Sequence, residues 1–212
     1  HPLASTAIEV IEGGRKVAGS ATFQAGLVEL QDVASQAVVE TLALRKGQRI
    51  LDYCAGGGGK ALALAALADS AVDAWDSDAA RMQDIAKRAE RAGANITCLT
   101  EKPSGQYDIV LCDVPCSGSG AWRRAPQGKW LLTSERLTQL GNVQGDILQQ
   151  AARLVSPGGV LVYTTCSLLA QENMDQLAKF TEATPGWICD FSRQFLPIEG
   201  GDGFFVGHLR SV

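Results

Sequence analysis

The sequence predicts an α/β protein whose mostly parallel sheet has helices on both faces, the doubly wound arrangement. Short apolar runs of strand length alternate with longer segments of helical periodicity, and right-handed crossovers then place helices on both sides of the sheet. The polar and glycine-rich loops all follow predicted strands. Ligands bind at the carboxyl ends of the strands in such sheets, so these loops are the candidate functional positions.

The first 25 residues form a lead that we expect to be a hairpin, the remnant of an N-terminal region. Glu12-Gly13-Gly14-Arg15 is a turn signal between two weakly apolar runs. Residues 26–212 are expected to form one continuous domain, because no repeat or low-complexity linker interrupts them.

The first half of this domain is predicted as strand, loop and helix units. Residues 31–42 carry apolar side chains at helical spacing. Residues 49–53 are a short apolar run that ends in glycines, and residues 60–67 are rich in Ala and Leu, which favour a helix. Asp78 is expected to cap a helix that ends near Ala92. Further strands are predicted at 72–75, 96–99 and 107–112.

The second half is predicted to add two helices and three strands. Residues 134–155 have a long helical pattern, and residues 172–181 a shorter one. Pro157-Gly158-Gly159 predicts a turn between the long helix and the next strand. The strands are predicted at 160–163, 187–190 and 203–209.

Composition and charge exclude several classes of protein. Apolar residues make up 46% and charged residues 20% of the chain, which is typical of a globular protein. Any apolar stretch of about 18 residues would include a charge, so no membrane span is predicted and we expect a soluble protein. The net charge is −4, so the overall field does not attract polyanions and any nucleic-acid contact must be local.

The cysteines and histidines argue against a metal site. The six cysteines have no C-x-x-C spacing, and the two histidines, His1 and His208, lie near the ends of the chain. No secretory signal is evident near the start, so we expect reduced thiols in a cytoplasmic protein.

The glycine loop Gly56–Gly59 lies between a predicted strand and a predicted helix, where backbone N–H groups can approach a nucleotide-like ligand. It is not a phosphate-binding P-loop, because Cys54 and Ala61 stand where that motif needs Gly and Ser or Thr. Asp76 ends the next strand, 20 residues after Gly56, where an acid can accept both hydroxyls of a ribose. A tight structural turn and a helix cap remain the alternatives for these two features.

Two cysteines follow sheet strands in polar loops, Cys116 in Asp113-Val114-Pro115-Cys116-Ser117-Gly118 and Cys166 in Thr164-Thr165-Cys166-Ser167. If the two strands are neighbours, both thiols can face one small ligand. A Cys-His hydrolase is excluded, because no histidine lies inside the domain near them. The other four cysteines lie in or beside apolar runs and are expected to be inert: Cys54, Cys98, Cys112 and Cys189.

Five runs resemble the signature motifs of the RsmB/Sun family of RNA cytosine-5 methyltransferases: LDYCAGGGGK, AWDSD, YDIVLCDVPCSGSGAWRRAP, LVYTTCSLLAQEN and GDGFF. The resemblance covers nearly the whole chain from about Gly26. It implies the class I methyltransferase fold, a Rossmann-like, seven-stranded sheet, with S-adenosylmethionine as methyl donor. The implied substrate is RNA, with rRNA favoured over tRNA, and we expect a monomer.

The resemblance also implies roles for individual residues. Cys166 is the nucleophile that adds to carbon 6 of cytosine, Cys116 assists release of the methylated product, and Asp113 and Lys60 approach the target base. For Lys60 the alternative is a solvated lysine at a helix start. The residues expected to hold the cofactor are Asp52, Cys54, Ala55, Gly56, Gly57, Gly58, Gly59, Lys60, Asp76, Ser77, Arg81 and Asp113.

The basic segment Arg123, Arg124 and Lys129 follows the first cysteine loop and is expected to hold RNA phosphates, with a solvated charged loop as the alternative. Two departures from the family pattern predict weaker cofactor binding. The sequence has no Asp after the third strand, where the family's acid contacts adenine, and it has Gly56-Gly57 where the family has Ala-Pro.

Two other functions stay open on the sequence. A degenerate relative would bind RNA without turnover, and the missing adenine acid favours it, whereas the retained cysteines argue against it. A nicotinamide dehydrogenase would also use the glycine loop and Asp76, but hydride transfer leaves the two cysteine loops without a role.

Overall fold

The computed structural model describes all residues 1–212 and contains one seven-stranded sheet. The strand order is β3-β2-β1-β4-β5-β7-β6, and β1 to β5 run parallel while β7 is antiparallel to both of its neighbours. The strands are β1 (Ile50–Asp52), β2 (Val72–Ala74), β3 (Ile96–Cys98), β4 (Tyr107–Asp113), β5 (Val155–Thr165), β6 (Trp187–Phe195) and β7 (Phe204–Ser211).

Helices cover both faces of this sheet, as the alternating sequence pattern predicts. One face packs against α2, α3 and α4, and the other against α6 and α7. The α-helices are α1 (Ala21–Gln24), α2 (Val33–Glu40), α3 (Gly59–Ala68), α4 (Ile85–Ala92), α5 (Gln127–Leu131), α6 (Ser134–Ala152) and α7 (Met174–Ala183).

Alternate strand residues supply the two halves of the core. In β4, Ile109 and Leu111 belong to the core on the α2–α3 face, whereas Val110 and Cys112 belong to the core under α6 and α7. Successive side chains of a strand point to opposite faces, so a strand buried on both sides is continuously apolar. This explains the apolar run at residues 109–112, which follows Asp108 in the predicted strand.

The lead does not form the predicted hairpin. It contains a 3-10 helix, Gly14–Gly19, followed by α1, and no strand. Gly13 has a positive φ of 72° and turns the chain directly into the 3-10 helix. Ala4 is buried in the core and Ser5 donates its N–H to Glu40 of α2, so the lead packs back against the domain.

Three other features of the secondary structure differ from the prediction. Asp78 caps a short 3-10 helix, Ala79–Met82, and α4 begins only at Ile85. The predicted turn at residues 157–159 is a bulge inside β5, where Gly158 has a φ of 77° and the pairing with β4 shifts register before it resumes. The sequence analysis missed α5, whose start is marked by Pro126.

No helix has the length and apolar composition needed to cross a bilayer. The apolar faces of the helices pack against the sheet, and Leu148 of α6 is fully buried there.

Replacing Leu148 with Ala is expected to lower the free energy of unfolding by about 2–5 kcal/mol, because it removes buried methyl groups and leaves a cavity. Leu67→Ala is the control: Leu67 is 39% exposed, and its loss should cost less than about 1 kcal/mol. Urea denaturation measures both values. A similar loss for the two variants would contradict the assignment of Leu148 to the core.

Candidate active site

The carboxyl ends of β1, β4 and β5 border a cavity of about 290 Å³. This volume lies at the lower end of the range for small-molecule sites. A larger groove of about 1410 Å³ lies between the lead, α2 and α3 and contains neither cysteine of the predicted pair. The predicted site residues that line the smaller cavity are Asp52, Cys54, Ala55, Gly56, Gly57, Gly59, Lys60, Arg81, Asp113, Arg124 and Cys166.

The glycine loop needs glycine at two positions for its backbone path. Gly56 and Gly58 have φ values of 48° and 80°, which side chains disfavour. A Cβ atom on Gly58 would lie 2.8 Å from Ile85 of α4, so this glycine also allows α4 to pack closely. The loop therefore brings main-chain atoms to the cavity wall.

Asp52 is buried and unpaired at the base of the cavity. Its exposure is 1%, and neither carboxylate oxygen meets a hydrogen-bond partner at normal geometry. Burial raises the pKa of Asp52 to about 7, and the negative charge of Asp113 raises it further, against the opposing effect of Lys60. An isolated carboxylate of this kind is expensive unless a cationic or hydrogen-bonding ligand satisfies it.

The Asp76 carboxylate has hydrogen-bond and ion-pair partners within the protein. Its carboxylate accepts the N–H of Gly56 at 2.9 Å and the N–H of Asp78 at 3.0 Å, and it forms an ion pair with Arg81 at 3.0 Å. Arg81 is 56% exposed and its side chain lies over Gly56, where it lines the cavity. Ser77, which follows Asp76, is exposed.

The two predicted thiols are in contact. Cys116 Sγ and Cys166 Sγ lie 3.4 Å apart, because β4 and β5 pair directly and both loops leave the same edge. The hydrogen bond from Cys116 lowers the pKa of Cys166, and the Lys60 ammonium lowers it further. The same hydrogen bond and burial raise the pKa of Cys116. Burial and the negative charge of Asp113 oppose the lowering at Cys166. The two shifts favour Cys166 over Cys116 as the sulfur that loses its proton first.

The other four cysteines lack such activation. Burial raises the pKa of each of them, most strongly for the two deeply placed thiols. These cysteines are Cys54, Cys98, Cys112 and Cys189.

Lys60 and Asp113 form an ion pair at the cavity. The distance from Lys60 Nζ to Asp113 Oδ2 is 2.7 Å, and Nζ lies 4.8 Å from the ring centroid of Phe204. The Lys60 side chain is only 6% exposed, which rules out the solvated-lysine alternative. Asp113 is about one-third exposed and can reach a ligand in the cavity.

Glu172 is a buried residue to which the sequence analysis gives no role. Its carboxylate accepts the N–H and Oγ–H of Ser117, at 2.8 and 2.5 Å, and the Oγ–H of Ser167 at 2.5 Å. Gln144 of α6 donates a further hydrogen bond at 3.0 Å. Glu172 thus joins the loop of Cys116 to the loop of Cys166.

The basic segment predicted to hold RNA is mostly paired within the protein. Arg123 Nε lies 2.8 Å from Asp202 Oδ1, and Arg124 Nε lies 2.9 Å from Asp202 Oδ2. Asp202 is buried, so these pairs anchor the segment beside β7. Lys129, in α5, has no carboxylate partner and lies 5.6 Å from the ring centroid of the exposed Trp130.

No group of three or more metal-ligating side chains is present. The site brings together a glycine loop, two charged pairs, an unpaired carboxylate and two thiols in contact.

A family model described as 16S rRNA methyltransferase RsmB/F matches residues 39–190, well over half of the chain. The chain belongs to this RsmB/F family. The small subunit rRNA methyltransferase B of Proteus mirabilis is 36% identical over 198 residues, which cover 89% of this chain and 47% of that protein. The chain thus spans about half the length of the curated relatives it matches.

Solved structures agree on the fold. The crystal structure of PH0851 covers 91% of this chain, and 49% of its own, with a TM-score of 0.85 and 28% identity. That of NSun6 from Pyrococcus horikoshii with SFG covers 92% of this chain, and 56% of its own, with a TM-score of 0.83 and 22% identity. The class I, S-adenosylmethionine-dependent methyltransferase fold predicted from the sequence is confirmed. Membership of the RsmB/F family removes the dehydrogenase alternative.

Replacing Asp52 with Asn is expected to flatten the pH dependence of folding in this RsmB/F domain. A buried acid with a pKa of about 7 binds a proton more tightly folded than unfolded, so the free energy of unfolding falls as pH rises from about 4 to 7. Relative to wild type, Asp52→Asn should gain on the order of 1–4 kcal/mol at about pH 8 and much less at about pH 4.

Urea denaturation at the two pH values measures this difference, with Asp84→Asn, an exposed position, as the control. An Asp52→Asn variant that changes stability equally at both pH values would contradict the buried, unpaired carboxylate.

Proposed function

We propose that the chain transfers a methyl group from S-adenosylmethionine to carbon 5 of a cytosine in RNA, with 16S rRNA as the substrate class, through a covalent adduct between Cys166 and carbon 6. The observation that carries the proposal is the Cys116–Cys166 contact of 3.4 Å at the cavity, and the lowered pKa of Cys166 supports it. A poor carbon nucleophile such as carbon 5 needs activation by addition at carbon 6, and a thiolate is suited to that task.

The residues present fit the methyl donor. Asp52 lacks a partner for either oxygen and matches the ammonium of an amino-acid group. The glycine loop offers main-chain contact, and Asp76 can accept ribose hydroxyls once Arg81 moves from it. When bound, S-adenosylmethionine supplies an electrophilic methyl group. Ser77 is the exposed residue nearest in sequence to Asp76 and takes the adenine side.

The reaction uses the thiolate first. Cys166 Sγ bonds to carbon 6, and the electron pair of the 5,6 double bond becomes available at carbon 5. The Asp113 carboxylate accepts a hydrogen bond from the amino group of the base and, once the ring nitrogen takes a proton from solvent during addition, from that nitrogen as well. Lys60 holds this carboxylate at 2.7 Å in the required position. After methylation a base accepts the proton on carbon 5, the electron pair of that C–H bond re-forms the 5,6 double bond, and the bond between carbon 6 and Cys166 breaks to return Cys166 as a thiolate. Cys116, 3.4 Å from Cys166, assists this release as that base after its own proton has passed to solvent.

RNA is held next to the thiols by the segment that follows Cys116. Arg123 and Arg124 are anchored on Asp202 and keep about half of their side-chain surface exposed, so phosphates can contact them. Lys129 has no internal ion pair and adds a phosphate contact. The target base must leave its stack to reach Cys166 in the cavity. Residues 26–212 form the catalytic domain in this proposal.

Cys166→Ala is expected to abolish methyl transfer and to leave donor binding within a few-fold of wild type, because the thiolate acts on the base. Incorporation of radiolabelled methyl groups into an unmodified 16S rRNA transcript measures the reaction, and calorimetry measures donor binding. Cys189→Ala, a cysteine on edge strand β6, is the matched control and should retain activity. Near-wild-type activity of Cys166→Ala would remove the nucleophile assignment. Donor binding with no methyl transfer by the wild-type chain would favour a degenerate relative.

Cys116→Ala is expected to accumulate a covalent protein–RNA adduct, because addition and methylation proceed while elimination stalls. Denaturing electrophoresis of the reaction mixture detects the adduct as a slower band. The double variant that also lacks Cys166 should show no such band. Free turnover by Cys116→Ala without an adduct would contradict the role of Cys116 in product release.

A further inference from the structure

We propose that Glu172 is a positioning residue for the thiol pair, whose carboxylate fixes the two cysteine loops together and whose negative charge keeps the shared proton on Cys116. This inference deepens the proposed function and concerns how the resting thiolate is selected. Glu172 touches neither thiol through a hydrogen bond and acts through the serines that follow them.

The geometry places Glu172 between equivalent positions of the two loops. Ser117 follows Cys116 and Ser167 follows Cys166, and both hydroxyls donate to Glu172 Oε2 at 2.5 Å. The two serine Oγ atoms are 3.3 Å apart. The residues that follow the cysteines are therefore in contact with each other, as the two thiols are. A single carboxylate therefore fixes the spacing that the thiols need.

Glu172 is held in place from outside both loops. It is 0% exposed, and its backbone oxygen accepts the hydroxyl of Tyr163 at 2.6 Å. The Gln144 amide donates both to Glu172 Oε1 and to the backbone oxygen of Pro115, each at 3.0 Å. Four hydrogen-bond donors therefore fix the Glu172 carboxylate in this buried position.

The negative charge of Glu172 favours the protonated form of Cys116. Hydrogen bonding to Cys166 and burial raise the pKa of Cys116, and the negative charge of Glu172 raises it further. A proton shared between two sulfur atoms therefore stays on Cys116, which leaves the thiolate on Cys166. The other charged or titratable groups that face the thiols are Lys60 of α3, Asp113 at the end of β4, Arg124 of the following segment and Tyr163 of β5.

Those four groups stay unchanged in variants of Glu172, so a change in the thiol pair can be assigned to this carboxylate. Brief, sub-stoichiometric alkylation of the free 212-residue chain with iodoacetamide at neutral pH, followed by peptide mass spectrometry, reports which sulfur carries the negative charge. The assay needs neither RNA nor the methyl donor. Its outcome is therefore separate from the success or failure of the proposed methyl transfer.

In the wild type, label is expected mainly on Cys166. In Glu172→Gln the carboxylate charge is lost and one of its two acceptor oxygens becomes an NH2 donor, so the ratio of label on Cys116 to label on Cys166 should rise about threefold to tenfold, the effect of half to one pKa unit. Ser119→Ala is the matched control: it removes the 3.0 Å contact with Ser167 from the same network but keeps the charge, and its labelling ratio should match wild type.

An unchanged ratio in folded Glu172→Gln, or an equal change in Ser119→Ala, would overturn the proposal. Glu172→Asp provides a second test if Glu172→Gln does not fold. It keeps the charge on a shorter side chain, so label should remain mainly on Cys166. Equal labelling of the two cysteines in Glu172→Asp would also overturn the role of the charge.

Discussion

The parallel pairing of β4 with β5 brings together two cysteine loops that lie 50 residues apart in the chain. Asp113 pairs with Thr164 at the end of the two strands, and Val114 continues the ladder with a hydrogen bond to the Thr164 oxygen at 3.0 Å. A slip of one residue would move one loop by about 3.3 Å and turn its side chains to the other face. The thiol contact, the cavity and the serine–glutamate network all depend on this register.

Two of the buried carboxylates at the site, Glu172 and Asp52, have opposite hydrogen-bonding environments. Glu172 has four hydrogen-bond donors and belongs to the framework. Asp52 has none and faces the cavity, so its desolvation is not compensated within the chain. The hydrogen bonds of Glu172 stabilise a fixed geometry of the two loops. The unpaired Asp52 carboxylate favours the binding of a ligand that supplies the missing hydrogen-bond donors or positive charge.

The sequence predicts the strands and the loops at their carboxyl ends, because both signals are local: apolar runs for β1, β4 and β5, and glycine, aspartate or cysteine where they end. The roles of Glu172 and Asp202 are not local. Glu172 binds Ser117, 55 residues earlier, and Asp202 binds Arg124, 78 residues earlier.

The same reasoning explains what the local sequence does not show of the basic segment and of the lead. The cluster Arg123-Arg124 indicates phosphate binding, but its ion pairs with the distant Asp202 are not visible in the local sequence. The lead has the turn residues of a hairpin, but a strand needs a partner, and residues 8–11 find none.

The position of β7 between β5 and β6 has a consequence for the order of assembly during protein synthesis. β7 follows every other strand in the chain, yet it pairs with an edge of β5 and carries Phe204, which lies beneath Lys60. Until β7 leaves the ribosome, β5 presents an unpaired edge, and Arg123 and Arg124 lack their nearby Asp202. The catalytic edge of the nascent domain is therefore completed last, after both cysteine loops have already emerged.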